Sequence, residues 1–279
     1  MRRMCLQVDR DLLTALHEPV LFPSEPLPEP PGSVGPNGSS TQALAAAVTV
    51  GLGRDGLSLV RLPNPLDVAD FIALGRTLGE PLPENDPVIA SYVEASVVLS
   101  LRDDLRSDDD RLTPFTPSAL TLHTEGSRRP FDRQPRFIVL MCLDPGSAGE
   151  GSQTVLVPVP AIVDQLAEDT LAVLAATRET VLSDTSAFIR SDSGQVRLSF
   201  RDLGQETYEV ESEYEERTVT TALENLLRAC YLARPIFGTR WRRGDLVAID
   251  NRRWMHGRTA AQPQYGTVRH LKRLRIVAP

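Results

Sequence analysis

The chain is poor in the residues that most often announce a site: four histidines, three cysteines and 5% aromatic residues in 279. Cys5, Cys142 and Cys230 are odd in number, widely spaced and without a C-x-x-C pair. That argues against a disulfide framework and a thiolate zinc site, and it fits a reducing, cytoplasmic setting. Each is expected to be a small buried apolar residue. No apolar run approaches the roughly 18 to 20 residues of a membrane span, so no membrane partner is expected. The opening MRRMCLQVDRDLL is basic but carries no continuous apolar segment, and no secretory leader is expected. Positive charge is not in excess either. A net charge of −7 disfavours nucleic acid, whose partners are usually basic, and leaves a small molecule as the default partner. No internal repeat is visible, and nothing in the pattern sets an oligomeric state.

What is present is an ordinary soluble composition, 41% hydrophobic and 24% charged, long enough for a sizeable core. Residues 19–40 are so rich in Pro, Gly and Ser that neither helix nor central strand is expected, and residues 1–45 read as an N-terminal arm ahead of a single domain, 46–279. A helix is expected from about Thr41 to Leu52. "GLSLVRLP" (56–63) reads as a buried strand, and "DVADFIALGRTLGEPLP" (67–83) has helical spacing with Gly79 at its end. "IASYVEASVVLSLR" (89–102) reads as one β-branched strand, and "LRDDLRSDDDRL" after it as a solvated acidic loop. "RFIVLMCLDP" (136–145) is a dense apolar strand, and a Gly-rich turn opens the next. Helical patterns return in "AIVDQLAEDTLAVLAAT" and "TVTTALENLLRACYLA". Between them the polar 183–217 stretch reads as an insert near the active site, with Arg201 and Asp202 as candidate substrate-facing groups or as part of a surface hairpin. The last quarter is strand-like, in "GDLVAIDN" (244–251) and "RHLKRLRIVAP" (269–279). The expected class is mainly β with flanking helices (α+β), a sandwich or jelly roll with helices packed outside.

In "LTLHTEGSRRP" (120–130), His123 and Glu125 sit two apart on a predicted strand, so both side chains point the same way. His256 follows the strand "GDLVAIDN" in "DNRRWMHGRTA". Two imidazoles and a carboxylate on rigid strands make a facial triad that suits non-haem Fe(II), leaving the opposite face open. A zinc hydrolase could use the same set, and a small-molecule sensor on the same fold is a further alternative. Arg269, 13 residues after His256, could grip a carboxylate in bidentate fashion, and Thr154, closing "GEGSQT", could add a hydroxyl bond. Arg273, four further on, shares its face. Arg128 and Arg129 are open to two readings, a contact with an anionic substrate or a solvated loop.

"LHTEG", "RFIVLMCLDPG", "GEGSQT" and "GDLVAIDNRRWMHGRTA…RHLKR", in that order, resemble the 2-oxoglutarate-dependent Fe(II) dioxygenases of the taurine dioxygenase (TauD/TfdA) and clavaminate synthase-like superfamily, over roughly residues 50–279. The resemblance implies a double-stranded β-helix. It implies iron bound by His123, Glu125 and His256, 2-oxoglutarate held by Arg269 and Thr154, and Arg273 facing substrate or supporting the co-substrate; Arg128 and Arg201 join it as candidate substrate contacts. The implied reaction uses O2 and hydroxylates an unactivated C–H bond of a small polar or amino-acid-like molecule in a natural-product pathway, releasing succinate and CO2. Desaturation and cyclisation are the alternatives within the family. Glu125 in place of the Asp of the taurine branch follows the clavaminate synthase-like pattern, and its presence argues against halogenation.

Overall fold

Alternation of side chains decides the architecture. In the computed structural model, Ile138, Leu140 and Cys142 enter one apolar cluster while Val139 and Met141 enter another. A strand with apolar residues on both faces lies between two layers. The structure describes residues 1–30, 41–107, 109–146, 152–180, 186–192, 194–261 and 268–278.

The chain opens with strand β1 (Arg2–Gln7) and helix α1 (Arg10–Leu21), followed by helix α2 (Thr41–Asp55), strand β2 (Leu57–Arg61) and helix α3 (Val68–Leu78). Strands β3 (Glu80–Pro81), β4 (Val93–Glu94), β5 (Val98–Arg102), β6 (Leu120–His123), β7 (Phe137–Asp144) and β8 (Thr154–Pro158) come next. Helices α4 (Val159–Val163) and α5 (Glu168–Ala175) precede strands β9 (Arg178–Glu179), β10 (Ile189–Asp192), β11 (Gln195–Leu198) and β12 (Thr207–Ser212). Helix α6 (Glu216–Leu232) leads to β13 (Phe237–Thr239), β14 (Asp245–Asp250), β15 (Trp254–Arg258) and β16 (His270–Val277).

A larger sheet in the order β2-β14-β7-β16-β5-β4, with β3 on β16, faces a smaller one in the order β13-β8-β15-β6. Pairing within both is antiparallel. Between the sheets lie Leu57, Leu99, Ile138, Leu140 and Ile249 from the larger and Leu156 and Trp254 from the smaller. Helices α2 and α3 cover the larger sheet's other face through Leu44, Val48, Phe71 and Leu74. Helices α1, α5 and α6 cover the smaller one through Leu16, Val173, Leu223 and Leu226. Each such apolar side chain contributes roughly 1.5–3 kcal/mol when fully buried. The result is mixed α/β, mostly strands, with helices outside.

Two local expectations change. Arg2–Gln7 and Arg10–Leu21, read as part of an arm, are β1 and α1. β1 pairs with β12, and Leu12, Leu13, Leu16, Val20 and Leu21 seal α1 to the core, with Asp9 capping its start and Pro19 in its last turn. The single strand expected over 89–102 is a 3₁₀ turn followed by the β4–β5 hairpin, reversed at Ala95 (φ 47°) and Ser96 (φ 64°). Residues 31–40 of the Pro/Gly-rich stretch and 147–151 of the Gly-rich turn before Thr154 lie outside the described residues. Among the described residues no helix is long and apolar enough to cross a membrane. Cys142 and Cys230 are buried and Cys5 is exposed.

Candidate active site

β6 ends at His123 and β15 carries His256 directly opposite it, with ring centroids 4.3 Å apart. Directly opposed residues on antiparallel strands share a face. On the far side of β15, His256 faces Leu156; on the free side of β6, His123 is bridged to Arg201. Leu156, His256, His123 and Arg201 therefore stand in one row. Two flanking bonds fix its outer end, Thr124 N–H to Phe200 O at 2.9 Å and Asp202 N–H to Leu122 O at 3.0 Å.

Glu125, expected on the same strand as His123, lies instead in the turn after β6, so the turn and not strand alternation brings it to the site; Gly126 (φ 71°) lets the chain reverse there without the strain a side chain would meet. Its backbone is pinned by Asn251: Glu125 N–H donates to Asn251 Oδ1 (2.7 Å), and Asn251 Nδ2 donates to Glu125 O (3.0 Å). The ligand atoms of His123, Glu125 and His256 all lie within 4.8 Å of one another. His123 Nδ1 donates to Thr121 O (2.8 Å), which fixes the tautomer and leaves Nε2 as the lone-pair nitrogen. His256 Nδ1 is buried without a hydrogen-bond partner among the described residues. Burial lowers both imidazoles; Glu125 opposes this, His256 and Arg201 add to it at His123 and Arg273 and Arg201 at His256, and the balance leaves His256 at about 4. Burial would raise Glu125, but Arg273 and Arg275 hold its carboxyl well below the usual range. At neutral pH the set is two neutral imidazoles and one carboxylate, the protonation state a divalent cation requires.

Arg273 Nη1 is 3.2 Å and Arg275 Nη1 3.4 Å from the Glu125 oxygens, and Glu84, itself buried, receives the other end of both guanidiniums at 3.1 and 2.6 Å. Arg273 thus sits against the site carboxylate. Glu84, Arg275 and Asn251 were not legible from motif spacing, although Arg275 continues the period of Arg273.

Arg269 sets its Nε and Nη2 at 2.8 and 2.9 Å from the two oxygens of Asp103, and Arg258 Nη1 reaches the same carboxylate at 3.0 Å. Arg258 also donates to the carbonyls of Thr113, Pro114, Thr116 and Ser118, and burial pulls it down to about 10. Asp103 belongs to the run expected to be solvated. Its side chain is only 5% exposed because two buried guanidiniums require a counter-charge. Thr154 accepts a bond from Trp241 Nε1 (3.2 Å). His123, Glu125, His256, Thr154, Arg258 and Arg269 line one cavity of about 270 Å³, whose remaining wall mixes apolar side chains such as Leu99, Ile138 and Leu140 with the charged Asp86, Arg111, Arg128, Arg201 and Arg273.

Of the other predicted contacts, Arg128 lines this cavity but pairs with Glu179 at 3.1 Å, and Arg201 lines it without an ion pair among the described residues. Asp202 turns the other way. It is fully buried and accepts bonds from Tyr231 (2.6 Å) and Tyr208 (3.0 Å), with His17 Nε2 2.6 Å away.

The sequence matches the model of the taurine catabolism dioxygenase TauD, TfdA family over residues 24–183 and 185–275. The chain belongs to this family. A search of the curated proteins returns no match. Among solved structures, PvcB from Pseudomonas aeruginosa is similar at 21% identity and a TM-score of 0.66, covering 91% of each chain. An asparagine oxygenase solved with Fe(II), 2S,3S-3-hydroxyasparagine and succinate is similar at 18% identity and 0.63, over 98% of this chain and 93% of that one. The non-heme iron oxygenase OrfP, solved with Fe, succinate and (3S)-hydroxy-L-Arg, is similar at 17% and 0.61, over 86% and 81%. The family's fold is therefore this chain's fold.

Proposed function

We propose that this family member is an Fe(II)- and 2-oxoglutarate-dependent oxygenase, with iron held by His123, Glu125 and His256, that hydroxylates an unactivated C–H bond of a small polar or amino-acid-like molecule in a natural-product pathway. The convergence of those three donor side chains within 4.8 Å, in the right protonation state and beside a buried arginine pair, carries the reading. The two facing sheets are read accordingly as a double-stranded β-helix, within a single catalytic domain. Supporting the substrate class, the asparagine oxygenase and OrfP structures hold hydroxylated amino acids, and PvcB is described as belonging to an isonitrile synthetic pathway.

When bound, iron with 2-oxoglutarate and O2 supplies the oxidant for the C–H bond and yields succinate and CO2. The chain's own residues bind and orient. Arg269 and Arg258 bring two cations against the one anion Asp103, so a positive charge is left to meet the far carboxylate of 2-oxoglutarate, and Thr154 stands beside them. Arg273 and Arg275, tied to Glu84, keep Glu125 ionised and aimed. The leucine and isoleucine walls exclude water and lower the local dielectric, which strengthens these contacts. A zinc hydrolase would leave the Arg258–Arg269 pair without a purpose.

The test is anaerobic titration with Fe(II) and then 2-oxoglutarate, following the visible metal-to-ligand charge-transfer band. A band in wild type, absent in His123→Ala and needing at least tenfold more 2-oxoglutarate in Arg269→Ala, is the expected outcome. No band in folded, metal-loaded wild type refutes the assignment.

A further inference from the structure

A second cavity, of about 430 Å³, adjoins the first. Arg111, Leu120, Arg128 and Arg201 line both. Three guanidiniums therefore stand at the junction of the two chambers, in a protein whose net charge is −7. Two are already matched: Arg111 Nη2 lies 2.6 Å from Asp109, and Arg128 Nε lies 3.1 Å from Glu179. Arg201 has no carboxylate partner among the described residues, yet it stands directly across the strand pair from His123, its side chain on the metal-facing side. A half-buried guanidinium with no carboxylate partner among the described residues, facing the cavity, is placed to pair with an anion that enters it.

The other candidate for that anion is engaged. Arg273 has one end of its guanidinium on Glu125 and the other on Glu84. Size points the same way. The inner cavity of about 270 Å³ has to admit 2-oxoglutarate as well as the reacting carbon, at the low end of what ligand sites offer. The rest of a substrate has the outer chamber, where Leu21, Phe22 and Leu203 supply apolar surface and Thr113, Ser118 and Gln205 supply polar groups.

We propose that the substrate is an extended anion: its carboxylate or phosphate sits on Arg201 at the junction, its reacting carbon reaches inward to the His123–Glu125–His256 set, and its remainder fills the outer chamber. This rests on the oxygenase reading and adds a substrate class to it. No free, unextended amino acid fills both chambers, so an acylated or otherwise elongated one is the fitting type.

The test uses full-length protein loaded anaerobically with Fe(II) and 2-oxoglutarate. The charge-transfer band is recorded first, so that failure to load is read separately and counts against the oxygenase reading alone. Loaded protein is then titrated calorimetrically with N-hexanoyl amino acids as free acids and as methyl esters, with the unacylated amino acids, and with hexyl phosphate against hexanol. The expected result is that free N-hexanoyl acids bind at least tenfold more tightly than their esters and than the unacylated amino acids. Arg201→Gln removes the acid-over-ester preference and Arg201→Lys restores part of it. Tighter binding of hexyl phosphate than of any acid assigns the junction to phosphate, and the reverse order to carboxylate. With the band present, equal binding of acid and ester, no binding of any anion in the panel, or an undiminished acid preference in Arg201→Gln overturns the proposal. The acid-ester comparison in wild type needs no variant to fold.

Discussion

At the scale of single residues the site is held by charges buried in balance, and that balance makes it sensitive to acid. His256 titrates at about 4 in the folded protein because burial disfavours its cation, against about 6.5 when unfolded. A depressed folded value means that stability is fully present above the unfolded pKa. Between about pH 6.5 and 4 the unfolded chain takes a proton that folded His256 refuses, a loss on the order of 3 kcal/mol by pH 4. His123 and Glu125 are lowered too and act with the same sign, Glu125 at more acid pH. Thermal unfolding of metal-free protein should therefore show a midpoint that drops steadily from pH 7 to pH 4.5; a flat profile contradicts neutral buried imidazoles. Asp103 offers a second check. Asp103→Ala leaves Arg258 and Arg269 facing each other without their carboxylate, and breaking a buried pair this way costs roughly 3–5 kcal/mol. Urea unfolding of Asp103→Ala should show that loss, while substitution of the exposed neighbour Asp104 should stay within about 0.5 kcal/mol.

At the scale of elements, the turns hold the strands in register. Gly244 (φ 87°) precedes β14, and a Cβ placed on it would lie 2.3 Å from Leu62 O, a backbone atom with no room to yield. Gly244→Ala combines that collision with left-handed strain of about 1–3 kcal/mol and should lower the denaturation midpoint clearly. Gly53→Ala, with nothing within 4 Å of the new carbon and a place in α2, should leave stability unchanged or raise it. The same contrast explains what could be read in advance. His123 was legible because alternation and a scarce histidine coincide in "LTLHTEG", and His256 by its scarcity alone, since its strand β15 was expected only as the turn after "GDLVAIDN". The reversal at Ala95 and Ser96 was not, because neither residue is Gly or Asn, the usual occupants of positive φ. Asp103 was not because its partners are 155 and 166 residues away and charge runs are usually solvated. Helix α1 was legible, in the spacing of Leu12, Leu13, Leu16, Val20 and Leu21, but the proline run after it dominated the reading.

At the scale of the whole molecule, the first 21 residues are part of the core. Leu6, Leu16, Val20 and Leu21 are at most 4% exposed and pack with α6 residues such as Leu223 and Leu226. Removing residues 2–21 should uncover this face, and the truncated chain should bind a hydrophobic dye and lose its cooperative thermal transition; retention of a wild-type transition would show that the strand and helix are dispensable.

His17, on α1, Tyr231, on α6, and Tyr208, on β12, all converge on Asp202, the residue next to Arg201. The helices, with Tyr208, therefore brace the segment that carries Arg201, whereas the two sheets and the separate contacts of Glu84 and of Asn251 hold His123, Glu125 and His256. On the proposed assignment, oxidation and recognition draw support from different layers and meet at the His123–Arg201 bridge. With Arg201 in the proposed role, substitutions in the coat would retune which molecule is accepted, one residue at a time, and leave the donor set of His123, Glu125 and His256 in place.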